Sequence, residues 1–240
     1  MFKRTHRYSI FAVVLLWLNS GYLPAAAFSD ATLIDGFNRT VFGSEISSFK
    51  FLGRYVRKFK GPVRFFIRSE VGGDAKSRTE QFVRSLNGMS PELITETVED
   101  ESSANFIVHV VRRSNFKQTV RQSVLRREDA KVVGKCLVRS IYSRAGIARS
   151  DAVIVADEGD NLFRRCMVEE LVQGLGLLND DPSLSLSMFN DSSRYTRFQP
   201  FDKALLTMLY DRRIRNGASK SSVERVLSAV ARDAQRAVFR

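Results

Sequence analysis

Five polar side chains in the stretch 167–180, Met-Val-Glu-Glu-Leu-Val-Gln-Gly-Leu-Gly-Leu-Leu-Asn-Asp, are spaced for chemistry: Glu169, Glu170, Gln173, Asn179 and Asp180. Glu169 and Gln173 stand four residues apart, so a helix puts them on one face. Gly176 ends such a helix with a turn that returns Asn179 and Asp180 towards that face. This is the geometry of a metal-binding helix, with Glu170 beside that face. The donor set is all oxygen or amide, closer to a Ca²⁺ or Mg²⁺ site than to zinc, which prefers Cys and His. The alternative is a metal-free cluster in which Arg164, Arg165 or Tyr195 satisfies the buried carboxylates. Paired acid–base work by Glu169 and Glu170 on a glycoside is disfavoured, because adjacent helical residues diverge by about 100°.

The residue inventory limits the other options. The chain has two His and two Cys in 240 residues. A Cys₄ site is excluded, and so is a three-His zinc site. A Ser-His or Cys-His dyad requires His109, which lies in the alternating run Phe106–Val111 and reads as a hydrogen-bonded or surface-facing strand residue. The amino terminus reads as an export signal, with Lys3, Arg4 and Arg7 before the apolar run Ile10–Leu18 and the small-residue site Pro24-Ala25-Ala26-Ala27. That apolar run is too short to span a bilayer, which takes roughly 20 residues. The expectation is a signal peptide over 1–27, cleaved after Ala27, and an exported mature chain, periplasmic or extracellular, without a transmembrane segment. In an oxidising compartment Cys136 and Cys166 are expected to form a disulfide.

The elements that must hold these residues follow from periodicity. Helices are expected over Thr32–Phe42 and Ala75–Leu86, the latter introduced by Gly72-Gly73-Asp74. Strands are expected over Val63–Arg68, Leu93–Val98, Phe106–Val111, Cys136–Tyr142 and Ala152–Ala156, the last apolar throughout and therefore central. The stretch Asn115–Leu125 reads as an excursion. A helix capped by Asp160-Asn161 should run to about Leu175, followed by helices over Phe201–Tyr210 and Ser222–Val238. The fold class is α+β, a single domain over 28–240 with a mixed sheet, a central helix bearing the motif, and a helical carboxyl-terminal part.

The net charge of +12 is unevenly distributed. Between Lys50 and Arg68 there are seven basic residues and no acid, and between Arg112 and Arg127 six and none. Residues 151–202 carry four basic and ten acidic residues. The basic runs are either solvated faces or a patch for polyanions or a membrane surface. No nucleic-acid-binding motif is present, so no specific nucleic acid is expected.

The motif helix resembles H-E-x-x-H-x-x-G-x-x-H, the zinc sequence of the metzincin metalloproteases. On that pattern the first histidine position holds Glu169, the general-base glutamate is Glu170 and the second histidine position holds Gln173. The glycine is Gly176, and the third ligand position is Asn179, or Asp180 after a one-residue slip. Ser187-Met188 is similar to the methionine turn of that family, and the strand–helix–strand–strand–strand–strand–helix order from Val63 to Leu175 matches its catalytic domain. The resemblance spans about 60–212 and implies a metzincin (zincin)-like fold without its zinc histidines. The chain is also similar to an uncharacterised family of exported bacterial proteins. That likeness rests on Cys166-x-x-Glu-Glu-Leu-x-Gln-x-Leu-Gly-Leu-x-Asn-Asp, on Ser187-x-Phe-Asn-Asp and on Leu209-Tyr-Asp-x-Arg-Ile-x-x-Gly.

Three functions are open from the sequence. The first is a non-catalytic binding or scaffolding protein of the cell envelope, without cofactor, whose partner is a protein or a glycan. The second is a hydrolase of peptide or peptidoglycan with a divalent cation on Glu169, Gln173 and Asn179 or Asp180, and Glu170 as base. The third is a binder of anionic surfaces.

Overall fold

The computed structural model describes residues 28–43, 55–190 and 192–239, so the stretch expected to be an export signal and part of the first basic run lie outside the described residues. Apolar residues at helical spacing build α1 (Asp30–Phe42), α2 (Ala75–Leu86), α3 (Arg113–Thr119), α4 (Asp160–Gly174), α5 (Pro200–Leu209) and α6 (Lys220–Val238). The strands are β1 (Val63–Ser69), β2 (Thr95–Thr97), β3 (Phe106–Val111), β4 (Cys136–Ser143) and β5 (Gly146–Val155). They form one five-stranded sheet in the order β2-β1-β3-β5-β4. All neighbours are parallel except β4, which pairs antiparallel with β5 as a hairpin at the sheet edge.

Strand alternation divides the side chains between two layers. Phe106, Val108 and Val110 of β3, with Ala152 and Ile154 of β5, join the large core made with α1, α2, α4, α5 and α6. Val111, Val153 and Val155 point to the other face, where Phe116 of α3 and Val120 and Val124 close a smaller cluster. The strand at the middle of the sheet is therefore β3, buried at every position, and β5 lies one place towards the edge. Apolar character alone does not separate the two, because β5 is also covered on both faces along its second half.

Other expectations change in detail. The excursion after β3 is helical: α3 passes into a π-helical turn, Val120–Leu125, and ends at Arg126 with a left-handed φ of 54°. The helix α4 has Gly159 as its N-cap with no side-chain cap, while Asp160 instead pairs with Arg78 and Arg164. Arg57 and Lys58, counted within a basic run, are not solvated: they are 5% and 4% exposed. Among the described residues, no helix is long and apolar enough to cross a membrane.

Cys136 at the start of β4 and Cys166 in the middle of α4 form a disulfide, with Cα atoms 5.7 Å apart. It ties the edge strand to the motif helix and closes a loop of 30 residues. For such a loop the lost freedom of the unfolded chain corresponds to about 3–4 kcal/mol. Cys136→Ala/Cys166→Ala is expected to lower the unfolding free energy by about that amount in urea titration. The wild type in reductant should match it, and a loss under about 1 kcal/mol would show that the cross-link does not constrain the unfolded chain.

Candidate functional site

The motif lies on a helix whose middle is enclosed. From Cys166 to Val172 every residue of α4 is buried, Glu169 and Glu170 included, at 8% and 6% exposure. Its carboxyl-terminal end is held by side chains from elsewhere, because the last carbonyls of a helix have no partner within it. The Ser150 hydroxyl donates to the Gly174 carbonyl at 2.8 Å, and the Tyr210 hydroxyl to the Leu175 carbonyl at 2.9 Å. Two glycines allow the approach. A Cβ on Gly174 would lie 2.4 Å from the Phe106 ring, and one on Gly176 would lie 2.3 Å from the backbone oxygen of Arg57.

Each polar residue of the motif has a partner. Arg165 donates from Nε to Glu169 at 3.1 Å and reaches the carbonyls of Asn190 and Ser193, so it pins the loop after α4 onto the helix. Glu170 is buried alongside and is held by an interaction of its own. The Gln173 amide donates to Asp180 Oδ1 at 2.8 Å, so the turn does bring Asp180 back to the helix. Asn179 goes elsewhere: its backbone N–H and its side-chain amide both donate to the Thr40 carbonyl, at 3.2 and 3.0 Å, at the end of α1. Asp181 extends the same seam by accepting from Arg39 at 3.1 Å. Of the expected partners for buried carboxylates, Arg165 takes the role at Glu169, whereas Arg164 pairs with Asp160 and Asn161.

The turn at Ser187-Met188 is anchored from beneath by Asp202, in the first turn of α5. Ser187 Oγ donates to Asp202 Oδ1 at 2.5 Å and the Met188 N–H to Oδ2 at 3.1 Å, while Ser187 Oγ accepts from the Phe189 N–H at 2.9 Å. Ser187, Met188 and Asp202 are all fully buried. Burial pushes the Asp202 carboxyl up to about 7, against the hydrogen bonds from Ser187 and from the backbone of Met188 and Gln199 that pull it down.

His109 is not surface-facing. It is 5% exposed in β3, and burial, then the nearby Arg68 charge, hold its imidazole below the ordinary value. That favours the neutral ring. It lies on the strand face opposite that of Phe106, Val108 and Val110, and none of the motif residues on α4 is among its charged neighbours.

Three residues that position the site carry no role in the sequence reading: Asp202, Tyr210 and Thr40. One of them, Tyr210, lies in a stretch that marks the family likeness. In Leu209-Tyr-Asp-x-Arg-Ile-x-x-Gly, Tyr210 bridges the Leu175 carbonyl and the Phe59 N–H. Asp211 and Arg213 pair at 2.6 Å, and Gly217 at φ 74° lets the chain pair with Val56. The motif is thus a clamp joining α5, the segment before β1 and the end of α4.

Among the described residues no three His, Cys, Asp or Glu side chains converge as a metal site would require. An α+β protein with one mixed sheet, whose enclosed glutamate-bearing helix is cross-linked to the sheet edge, is the class this geometry defines. The chain belongs to the family described as Protein of unknown function (DUF2927), whose model matches residues 30–229, from α1 into α6. No curated protein and no solved structure matches it significantly.

Proposed function

We propose that this protein is an exported binding or scaffolding component of the cell envelope, non-catalytic, with a metzincin-like domain whose metal-ligand positions have become structural. One observation carries the reading: Glu169, Gln173 and Asn179, which stand at the three ligand positions of the metzincin pattern, each bond to the protein itself. Gln173 and Asn179 present amide N–H groups to acceptors, and an amide engaged in this way is a poor zinc ligand. The residues therefore do not fit a zinc ion. The helix after β5, the glycine turn at Gly176 and the buried Met188 turn support the likeness to the metzincin domain. Export is supported by the basic and apolar leader and by a disulfide suited to an oxidising compartment. Phe28, the residue that cleavage after Ala27 would leave first, packs on Phe201 and Phe239 at ring distances of 5.2 and 5.6 Å.

Elemental analysis of protein purified without chelator, combined with peptide and peptidoglycan turnover assays, tests the proposal. The expected result is far less than one divalent ion per chain and no turnover. One zinc or other divalent ion per chain, with cleavage abolished by Glu170→Gln, would overturn it in favour of a metallohydrolase with Glu170 as general base.

A further inference from the structure

Away from α4 the fold brings together basic residues that are far apart in sequence. Lys58, Phe59 and Lys60, leading into β1, face Arg212, Ile214, Arg215 and Asn216 after α5 across a cleft of about 800 Å³. Its lining shares no residue with α4 or with the loop that follows it. Asn216 fixes the two walls, accepting from the Lys58 N–H at 2.8 Å and donating to the Lys58 carbonyl at 3.0 Å. At the floor, the buried Lys58 ammonium reaches Glu92 Oε2 and the Asp211 carbonyl, both at 3.1 Å.

The charges around this cleft are unbalanced. Lys60, Arg212 and Arg215 are exposed and make no ion pair among the described residues, whereas Arg213 between them is held by Asp211 and Asp233. Glu92 is the one carboxylate among the lining residues, and Lys58 already engages it. Pro91 and the half-exposed Ile94 supply an apolar wall, backed by the buried Phe59 and Ile214. A second hollow, lined by Arg144, Ala145, Arg215 and Asn216, continues it. Guanidinium forks match the oxygens of phosphate, and a concave cleft of this size suits a small group better than a flat surface does. The lining offers few exposed rings for base stacking, which argues against single-stranded nucleic acid.

We propose that the cleft between Lys58–Lys60 and Arg212–Asn216 binds a phosphate group carried on a sugar or on a lipid headgroup. Lys60, Arg212 and Arg215 hold the phosphate oxygens, and the apolar wall takes the carbon skeleton. Glu92 opposes binding, so its removal strengthens the site. This site is independent of the motif on α4, and its test does not depend on whether that helix is catalytic.

The test uses the full mature chain with two probes: sn-glycerol 3-phosphate by calorimetry, and vesicles of phosphatidylglycerol in phosphatidylcholine by co-sedimentation. Arg212→Ala/Arg215→Ala, at exposed positions, should weaken binding about 10-fold or more, and Glu92→Gln should tighten it about 3-fold. Arg112→Ala/Lys117→Ala, in the other basic run, should leave it within about 2-fold of wild type. Vesicle binding that glycerol phosphate competes away assigns the headgroup as ligand; soluble binding without vesicle binding assigns a free sugar phosphate. Either supports the site. Absence of both, an equal loss in the Arg112/Lys117 control, or tighter binding of a single-stranded oligonucleotide of equal charge would overturn it.

Discussion

Gly176→Ala is expected to destabilise the protein by about 4–5 kcal/mol, more than loss of the disulfide. The φ of Gly176 is 125°, well outside the left-handed region near 57° that other residues enter on occasion. Conformational strain is the smaller part of the cost. The added Cβ would meet the Arg57 backbone oxygen at 2.3 Å and a Leu209 methyl at 3.0 Å. A backbone oxygen cannot rotate away, so either the turn or the segment before β1 must move. That movement pulls on the Tyr210 bond to Leu175 and on the Gln173–Asp180 bond, which meet at this turn. Gly88→Ala separates the two causes: its φ of 74° carries strain, but a Cβ there meets nothing within 4 Å. It should cost about 1 kcal/mol. Urea titration of both variants measures the difference, and near-equal losses would show that the contact with Arg57 is not tight.

The same turn shows how far the sequence could be read. Gly176 is recognisable as a helix stop, and the return of Asp180 to Gln173 follows from helix geometry and turn length. The choice between Asn179 and Asp180 does not follow. It is settled by the Thr40 carbonyl at the end of α1, some 139 residues away, which takes Asn179 out of reach of the helix face. Local spacing describes what a segment can present, whereas distant carbonyls decide what each side chain takes up.

The fold was legible where burial and periodicity agree. The bounds of α2 and β3 coincide with the expected ones, because each carries an unbroken pattern of its own. The beginning of β5 was missed: Gly146–Asp151 includes Arg149, Ser150 and Asp151, and this half of the strand is specified by its hairpin with β4 rather than by apolar content. Burial of Arg57 and Lys58 was illegible for a related reason. A cation can be enclosed only if remote groups meet it: Arg57 lies 4.4 Å over the Tyr142 ring, and Lys58 depends on Glu92 and Asp211. Burial pulls both groups below their ordinary values. Charge runs in the sequence thus conflate buried cations with the exposed ones that remain available for a ligand.

Asp202 yields the second large effect, and its sign is set by proton uptake. In the folded protein burial raises its carboxyl to about 7, whereas in the unfolded chain it has the ordinary aspartate value of 3.8. Below pH 3.8 both states hold the proton, and above 7 neither does. Between these limits the folded state binds a proton that the unfolded state has released, so stability falls as pH rises from about 4 to 7. The full span corresponds to a loss on the order of 4 kcal/mol. Carboxylates such as Asp211 and Asp181, held below their ordinary value, act in the opposite sense at the acid end of the range. The contribution of Asp202 is therefore read from the difference between wild type and Asp202→Asn. Asparagine imitates the neutral acid: its oxygen can accept from Met188 while its amide donates to Ser187. The variant is expected to fold with the Met188 turn intact and to lose the decline between pH 4 and 7. Asp202→Ala leaves the Ser187 hydroxyl and the Met188 N–H buried without an acceptor, at a cost of about 3–5 kcal/mol at pH 5. Melting curves of the three proteins at half-unit pH intervals provide the comparison, and a wild-type slope unchanged by Asp202→Asn would place the titrating proton elsewhere. The turn would then be held by an ionised carboxylate, its charge balanced by the Ser187 and backbone donors alone.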